Sequence, residues 1–469
     1  MSDSTPEVPP ELEQLRDIVS YLEHSNSAVR QQALEIMQNF SIEESHIKAL
    51  ISFGVLKPTV ALIADKSLDV SSAALNTLIN FSAGDEDCVQ AMLDAGAVNL
   101  LVEYLIQAVN LRSPLLALML LVNLTRGEPG VRALMQDGKA YEGLHVTRLI
   151  RWFADPALRP LARAGADVVD AEAAAAEGDD WAYAGDVLAN LSQLLSFRAL
   201  VCDPKRALLA TLRSQLSSAN AQRRTAVMRI LHNVSNDADK HALLLDPATG
   251  YWPVVVSLII SADPEGCIDE EDRAPMLPEV RAMYANPAKR ADADGGVRTL
   301  VYETMLNLVR NAPSRAYLRA THTYHTLREA HKHERAVENE RNDLLLEDDL
   351  VPFFILDDDA PAPGEKGDKA GAAETALALL RRQAKGLSLA EAEAELKAHR
   401  EAEAAAALDP LMQQLGLGDI GASADKSGAE GESKPPRKHA AAVAEMDEDD
   451  EFAMAARYNE VMQAQEGRK

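Results

Sequence analysis

Three residue types in this chain have the spacing to do chemistry, and each sets its own demand on geometry. Histidine is the first: His322, His325, His331 and His333 crowd one segment. A metal site needs such donors to converge, usually with a carboxylate or cysteine completing the set. His322 and His325 share one helix face, but no matching partner motif stands elsewhere, so these read as surface histidines and no metal is expected. Cysteine is the second: Cys88, Cys202 and Cys267 are far apart and odd in number, which writes neither a disulfide framework nor a zinc cluster and points to a reducing compartment. Asparagine is the third: Asn39, Asn80, Asn123, Asn190, Asn233 and Asn307 recur in one setting, and each amide carries both donors and an acceptor. There is no Gly-rich phosphate loop, nucleophile elbow or Cys/His pair of known spacing. Paired carboxylates sit in charge runs, which are usually solvated. The chain therefore reads as no enzyme, with no catalytic residue and no cofactor.

The elements that must position those asparagines are written in the same phrase. It first occurs as Ala33-Leu34-Glu35-Ile36-Met37-Gln38-Asn39-Phe40-Ser41, and the steps from Asn to Asn are 41, 43, 67, 43 and 74 residues. A small or β-branched residue stands six before Asn, Leu or Met two before, and an apolar residue one after. Ser or Thr stands two after in five of six copies. Offsets −6, −5, −2 and +1 lie on one face of a 3.6-residue helix, so each copy predicts one amphipathic helix of a repeating unit. Gly54, Gly96 and Gly138 punctuate the first units; Asp203-Pro204 and Asp246-Pro247 do so later. Gly permits positive φ between helices, and Pro suits a helix start. A period of about 40–47 residues with two or three helices is that of armadillo and HEAT solenoids. The two long steps are this period plus insertions, at about 154–180 and 262–294. A unit this small cannot bury its apolar face alone and must stack.

An interior Asn is less favourable in a helix than Ala by up to about 0.7 kcal/mol, so six in register call for a reason. Two readings are open. The Asn-bearing helices line a groove where amides pair with the backbone of a bound segment, which makes all six partner-binding candidates. Alternatively, each amide satisfies carbonyls of its own or the neighbouring helix. Armadillo proteins that read extended basic peptides commonly carry a Trp one turn before the Asn. Here Glu35, Asn76, Met119, Asp186, Arg229 and Glu303 stand there, while Trp152, Trp181 and Trp252 are elsewhere, which argues against a nuclear-import receptor. Five of the asparagines also match Asn-X-Ser/Thr, but a helix with its next residue buried is a poor glycosylation acceptor.

The 469 residues are 47% hydrophobic and only 4% aromatic, which favours Ala- and Leu-packed helices. The net charge is −26, which disfavours phosphate-binding roles and nucleic-acid partners; an acidic surface suits basic protein partners. The first ten residues carry no basic and apolar leader pattern, and the longest apolar stretch, Leu115 to Leu124, is too short to span a bilayer. No membrane partner is expected, and the location is cytoplasmic, with the nucleus as a second compartment. The organisation predicted is a capping helix in 1–26 (about Glu11 to Glu23), a solenoid over 27–356 and an acidic low-complexity tail over 357–469. From Ala336 on there are 30 acids against 15 bases, so the tail reads as disordered with transient helices. One of these opens at Ser388 with Glu391 as a capping box. The fold class is all-α, an armadillo/HEAT-like right-handed α-solenoid.

Several stretches go further. Leu188-Ala-Asn-Leu-Ser192 followed by Arg198-Ala-Leu-Val-Cys-Asp-Pro204, Arg229-Ile-Leu-His-Asn233 leading to Leu243-Leu-Leu-Asp-Pro247, and the insertion with Leu277-Pro278, Tyr284, Lys289-Arg290 and Asp292 resemble the Hgh family of armadillo-like proteins. The resemblance covers about Leu188 to Leu327; Glu279-Val-Arg-Ala and Ala291 depart from the family's pattern. It implies a non-enzymatic cytosolic chaperone adaptor, with translation elongation factor 2 as client and the TRiC/CCT chaperonin as second partner. A generic armadillo interaction scaffold in transport or signalling is the alternative.

Overall fold

The computed structural model describes residues 10–159 apart from 14, 42, 84–85 and 107–113, residues 179–355 apart from 264–265, and short pieces between 378 and 399. By its contacts the chain divides between Ala402 and Glu403, and the helical stack belongs to the first of the two units. Among the described residues there are helices and turns but no strand. The six phrases form α1 (Ser27–Phe40), α2 (Leu68–Ser82), α3 (Leu115–Leu124), α4 (Ala182–Leu191), α5 (Ala221–Ser235) and α6 (Gly295–Val309). Each is followed by two further helical segments, as α1 is by Glu44–Ser52 and Leu56–Ala61, so the unit has three helices.

Local chemistry sets where these helices begin. Asn26, Asn220 and Asp294 each stand thirteen residues before the Asn of their phrase. Their side chains accept from the backbone N–H two residues on, at 3.0, 2.9 and 2.8 Å, which satisfies donors a helix start leaves open. Burial then follows the predicted face. At offsets −6, −5, −2 and +1 every residue in all six helices is buried except Phe40, which is half-buried. Each helix packs on the next, α1 through α6 in order, across both long steps. The insertions therefore loop out without interrupting the stack.

The punctuation behaves as its chemistry demands. Gly54, Gly96 and Gly138 have φ of +86°, +81° and +72°, a region where a side chain is strained. In the fourth and fifth units, Asp203 and Asp246 accept from the backbone N–H two residues on, and the left-handed residues are Ala207 and Gly250. In the sixth unit the same slot, fifteen residues after Asn307, holds His322 at φ +52°.

Some expectations change. The single helix over Glu11 to Glu23 is two, Pro10–Glu13 and Ile18–Leu22, because residues 15–18 turn through i→i−3 bonds such as Leu15 N–H to the Leu12 carbonyl at 2.8 Å. Beyond α6 come Ala312–Ala320, α7 (Thr323–Ala336), Glu340–Leu344, a π turn at Leu345–Leu350 and Pro352–Ile355. The middle of the first insertion (160–178), the segments 356–377 and 383–390, and everything from 400 on lie outside the described residues. So do the tail features predicted there; the Ser388 helix is described only at 391 and 393–399. No single described helix is long and apolar enough to cross a membrane. Two pairs, Glu44–Ser52 with Leu56–Ala64 and Glu86–Asp94 with Ala97–Ile106, have the length and composition together but bend by 91° and 66°.

Candidate interaction face

The asparagines form rungs between neighbouring ladder helices. Asn80 Nδ2 donates to Ser41 Oγ at 2.6 Å, Asn123 to Ser82 at 2.9 Å, Asn233 to Ser192 at 2.7 Å and Asn307 to Ser235 at 3.1 Å. Asn190 donates to Thr125 Oγ1 and the Val122 carbonyl, both at 3.2 Å. Every rung includes the Ser or Thr two after the preceding Asn as an acceptor. That hydroxyl spends its own proton on a carbonyl of its own helix: Ser41 on Gln38, Ser82 on Ile79, Thr125 on Leu121, Ser192 on Ala189 and Ser235 on His232, at 2.6–2.8 Å. It is left an acceptor facing the next amide. Asn39 opens the series with no copy before it, and the sixth phrase ends it with Val309 in place of the hydroxyl. Five of the six amide nitrogens are thus committed to the stack, mostly to hydroxyls rather than the carbonyls of the second reading.

A second inter-unit link escaped the sequence reading. Arg30, Arg224 and Arg298 stand nine residues before their asparagines. One guanidinium nitrogen reaches back to two loop carbonyls: His24 and Ser25 for Arg30, Ser218 and Ala219 for Arg224, Asp292 and Ala293 for Arg298, at 2.6–3.3 Å. The rest of the fork grips a carboxylate further along the chain: Asp65 (2.8 and 2.9 Å), Asp292 (2.5 and 2.9 Å) and Glu334 (2.6 and 2.8 Å). Asp65 and Asp292 both stand fifteen residues before the next Asn, and that shared register was the available signal. The planar fork makes such a pair bidentate. At the end of the first insertion Asp179 accepts from Arg223 and Asn220. Burial pushes its pKa up, but the Arg223 hydrogen bonds and charge outweigh this and hold it below the usual carboxylate range.

One turn before the asparagines the face is polar and mixed in charge. Asp186 accepts from Gln222 at 2.7 Å and lies 3.5 Å from Arg229, and Glu303 pairs with Arg341 at 3.0 Å. Trp152, Trp181 and Trp252 are buried in the core; the first two meet edge to face at 5.8 Å. His145 is also buried, and desolvation, helped by Arg148 and Lys139, pushes its pKa down to about 4.

The histidines depart from expectation. His322 is 9% exposed, so it is no surface residue. A short helix of the second insertion, Glu270–Arg273, supplies Asp272 beside it. Asp272 Oδ2 is 3.3 Å from His325 Nδ1, Oδ1 is 4.0 Å from His322 Nδ1, and the Asp272 carbonyl is 2.9 Å from that same nitrogen. His331 lies 2.5 Å from Asp343, which also takes Arg335 at 2.8 Å. Asp272 lies in an acidic run fifty residues before His322, and nothing in that run distinguishes it.

Six stacked helices in three-helix units, tied by register-matched amide rungs, define an armadillo-like α-solenoid. Residues 107–299 match the family described as a domain of unknown function, DUF383. Over 174 residues the chain is 32% identical to the Protein HGH1 homolog of Drosophila pseudoobscura pseudoobscura, covering 37% of this chain and 46% of that one. Over 154 residues it is 31% identical to the Homo sapiens Protein HGH1 homolog, covering 32% and 38%. The chain spans less than half the length of these relatives. A computationally designed armadillo repeat protein for modular peptide recognition is 19% identical with a TM-score of 0.41, over 54% of this chain and 94% of that one; the solenoid assignment stands on the helix register without it.

Proposed function

We propose that this chain is a non-enzymatic adaptor that holds an incompletely folded client while presenting it to a chaperonin. The observation that carries this is the family match over 107–299, which spans both insertions and runs from just before α3 into α6. The client implied by the Hgh resemblance is translation elongation factor 2, and the second partner is TRiC/CCT. A stack of like units offers a long surface, which suits a client without one fixed shape. The polar face along Asn39, Asn80, Asn123, Asn190, Asn233 and Asn307 is the client side. Five of the six amide nitrogens bind neighbouring helices, so client contacts there fall to the amide oxygens and flanking side chains. The 263–292 insertion or the acidic tail is the chaperonin side. The location is cytoplasmic. Affinity capture by the tagged full chain from native eukaryotic lysate tests this: elongation factor 2 and chaperonin subunits are expected together. Recovery of neither ends the proposal, and capture of unrelated proteins carrying basic segments favours a generic armadillo scaffold.

A further inference from the structure

The left-handed hinge between the second and third helices of a unit holds Gly54, Gly96 and Gly138 in the first three units, and His322 in the sixth. A left-handed backbone is strained for a non-glycine residue. Here it sets an imidazole at the start of α7, one turn from His325, with ring centroids 5.2 Å apart. Helix Glu270–Arg273 brings Asp272 onto the same spot. One donor atom from each of Asp272, His322 and His325 lies within 4.8 Å of the other two. We propose that these three residues form a divalent-cation site, of the class that prefers imidazole, with zinc as the fitting ion.

Two imidazoles and one carboxylate are a common zinc donor set, with bonds of about 2.0–2.2 Å and water in the fourth place. Imidazole disfavours magnesium and calcium, which take oxygen donors. His322 Nδ1 lies 4.0 Å from Asp272 Oδ1 and 2.9 Å from the Asp272 carbonyl, so a cation bound by that nitrogen displaces its proton. Asp269, Glu270 and Glu271 precede Asp272 and favour cation entry, while Arg273 is turned onto Asp263 at 2.8 Å. The second grouping, His331, Asp343 and Glu347, differs in that Arg335 already holds both of its carboxylates. An ion at the first site would pin the second insertion to α7.

The test uses the full chain, stripped with chelator, dialysed and titrated with zinc chloride by calorimetry, with elemental analysis after gel filtration. One equivalent is expected. Affinity should fall at least tenfold in Asp272→Asn and in His325→Gln, and should be retained in His331→Ala. Zinc should raise the melting temperature of the parent but not of Asp272→Asn, whose helical circular dichroism reports that it still folds. No bound zinc, binding unchanged in both site variants, or binding lost only in His331→Ala overturns the proposal.

Discussion

At the scale of single residues, the asparagines separate by what their amides touch. Asn190 is buried and donates to both Thr125 and the Val122 carbonyl, whereas Asn39 is exposed at the start of the series. A neutral hydrogen bond contributes about 0.5–1.5 kcal/mol net, and leaving buried partners unmet costs about 1–3 kcal/mol. Asn190→Ala should therefore destabilise the protein by about 1–2 kcal/mol. Asn39→Ala should stay within about 0.5 kcal/mol of the parent, because a surface change with no such partner has little to lose and Ala is the better helix former. Urea denaturation midpoints measured side by side decide this. Equal effects at the two positions would mean the rungs do not hold the stack.

At the scale of elements, close approach between a ladder helix and its successor depends on Gly130. A Cβ there would lie 1.8 Å from the Leu124 carbonyl oxygen, at the end of α3, whereas at Gly127 it would meet only Pro129 Cδ at 3.7 Å. Gly130→Ala forces helix Glu128–Met135 away from α3 and should cost about 3 kcal/mol, the upper end of overpacking penalties. Gly127→Ala should cost well under 1 kcal/mol. Thermal unfolding of the two variants checks the contrast, and a Gly130→Ala protein that melts with the parent would contradict the packing. The ladder helices themselves were legible in the sequence because their signal is local: Ala33, Leu34, Met37 and Phe40 are one helix face whatever else the chain does. The links between them were not. Asn80 finds Ser41 thirty-nine residues back and Arg224 finds Asp292 sixty-eight residues on, and no local pattern names a partner at that range. The hinge at His322 was missed for a different reason. Gly announces positive φ by its type, and His does not, although its register matched Gly54 and Gly138.

At the scale of the whole stack, stability is nearly a sum of unit and neighbour terms, so a lesion at one end should stay at that end. The α6–α7 contact is the place to test this. Glu334 is fully buried and accepts from Arg298 and from Tyr302 Oη at 2.8 Å. Burial raises the pKa of Glu334, but the hydrogen bonds from Arg298 and Tyr302 and the Arg298 charge outweigh it and leave the group below its ordinary value. A carboxylate depressed in the folded state binds fewer protons there than in the unfolded chain, so stability rises with pH through that window. The contribution is complete above the unfolded pKa of about 4.3 and is lost as pH falls through the folded value. His145 acts in a separate window by the same sign: held near 4 by burial against about 6.5 unfolded, it withdraws on the order of 3 kcal/mol as pH falls from 6.5 to 4. Glu334→Gln leaves the buried Arg298 without its counter-charge and should cost about 3–5 kcal/mol at pH 7. That cost should shrink in acid, where the parent loses the same carboxylate, while the fall between pH 6.5 and 4 persists because His145 is untouched. Hydrogen exchange at pH 7 should then show protection lost across α6 and α7 and kept across α1 to α3. Uniform loss of protection along the chain would show that the units melt together and that the stack does not behave as neighbours coupled in a line.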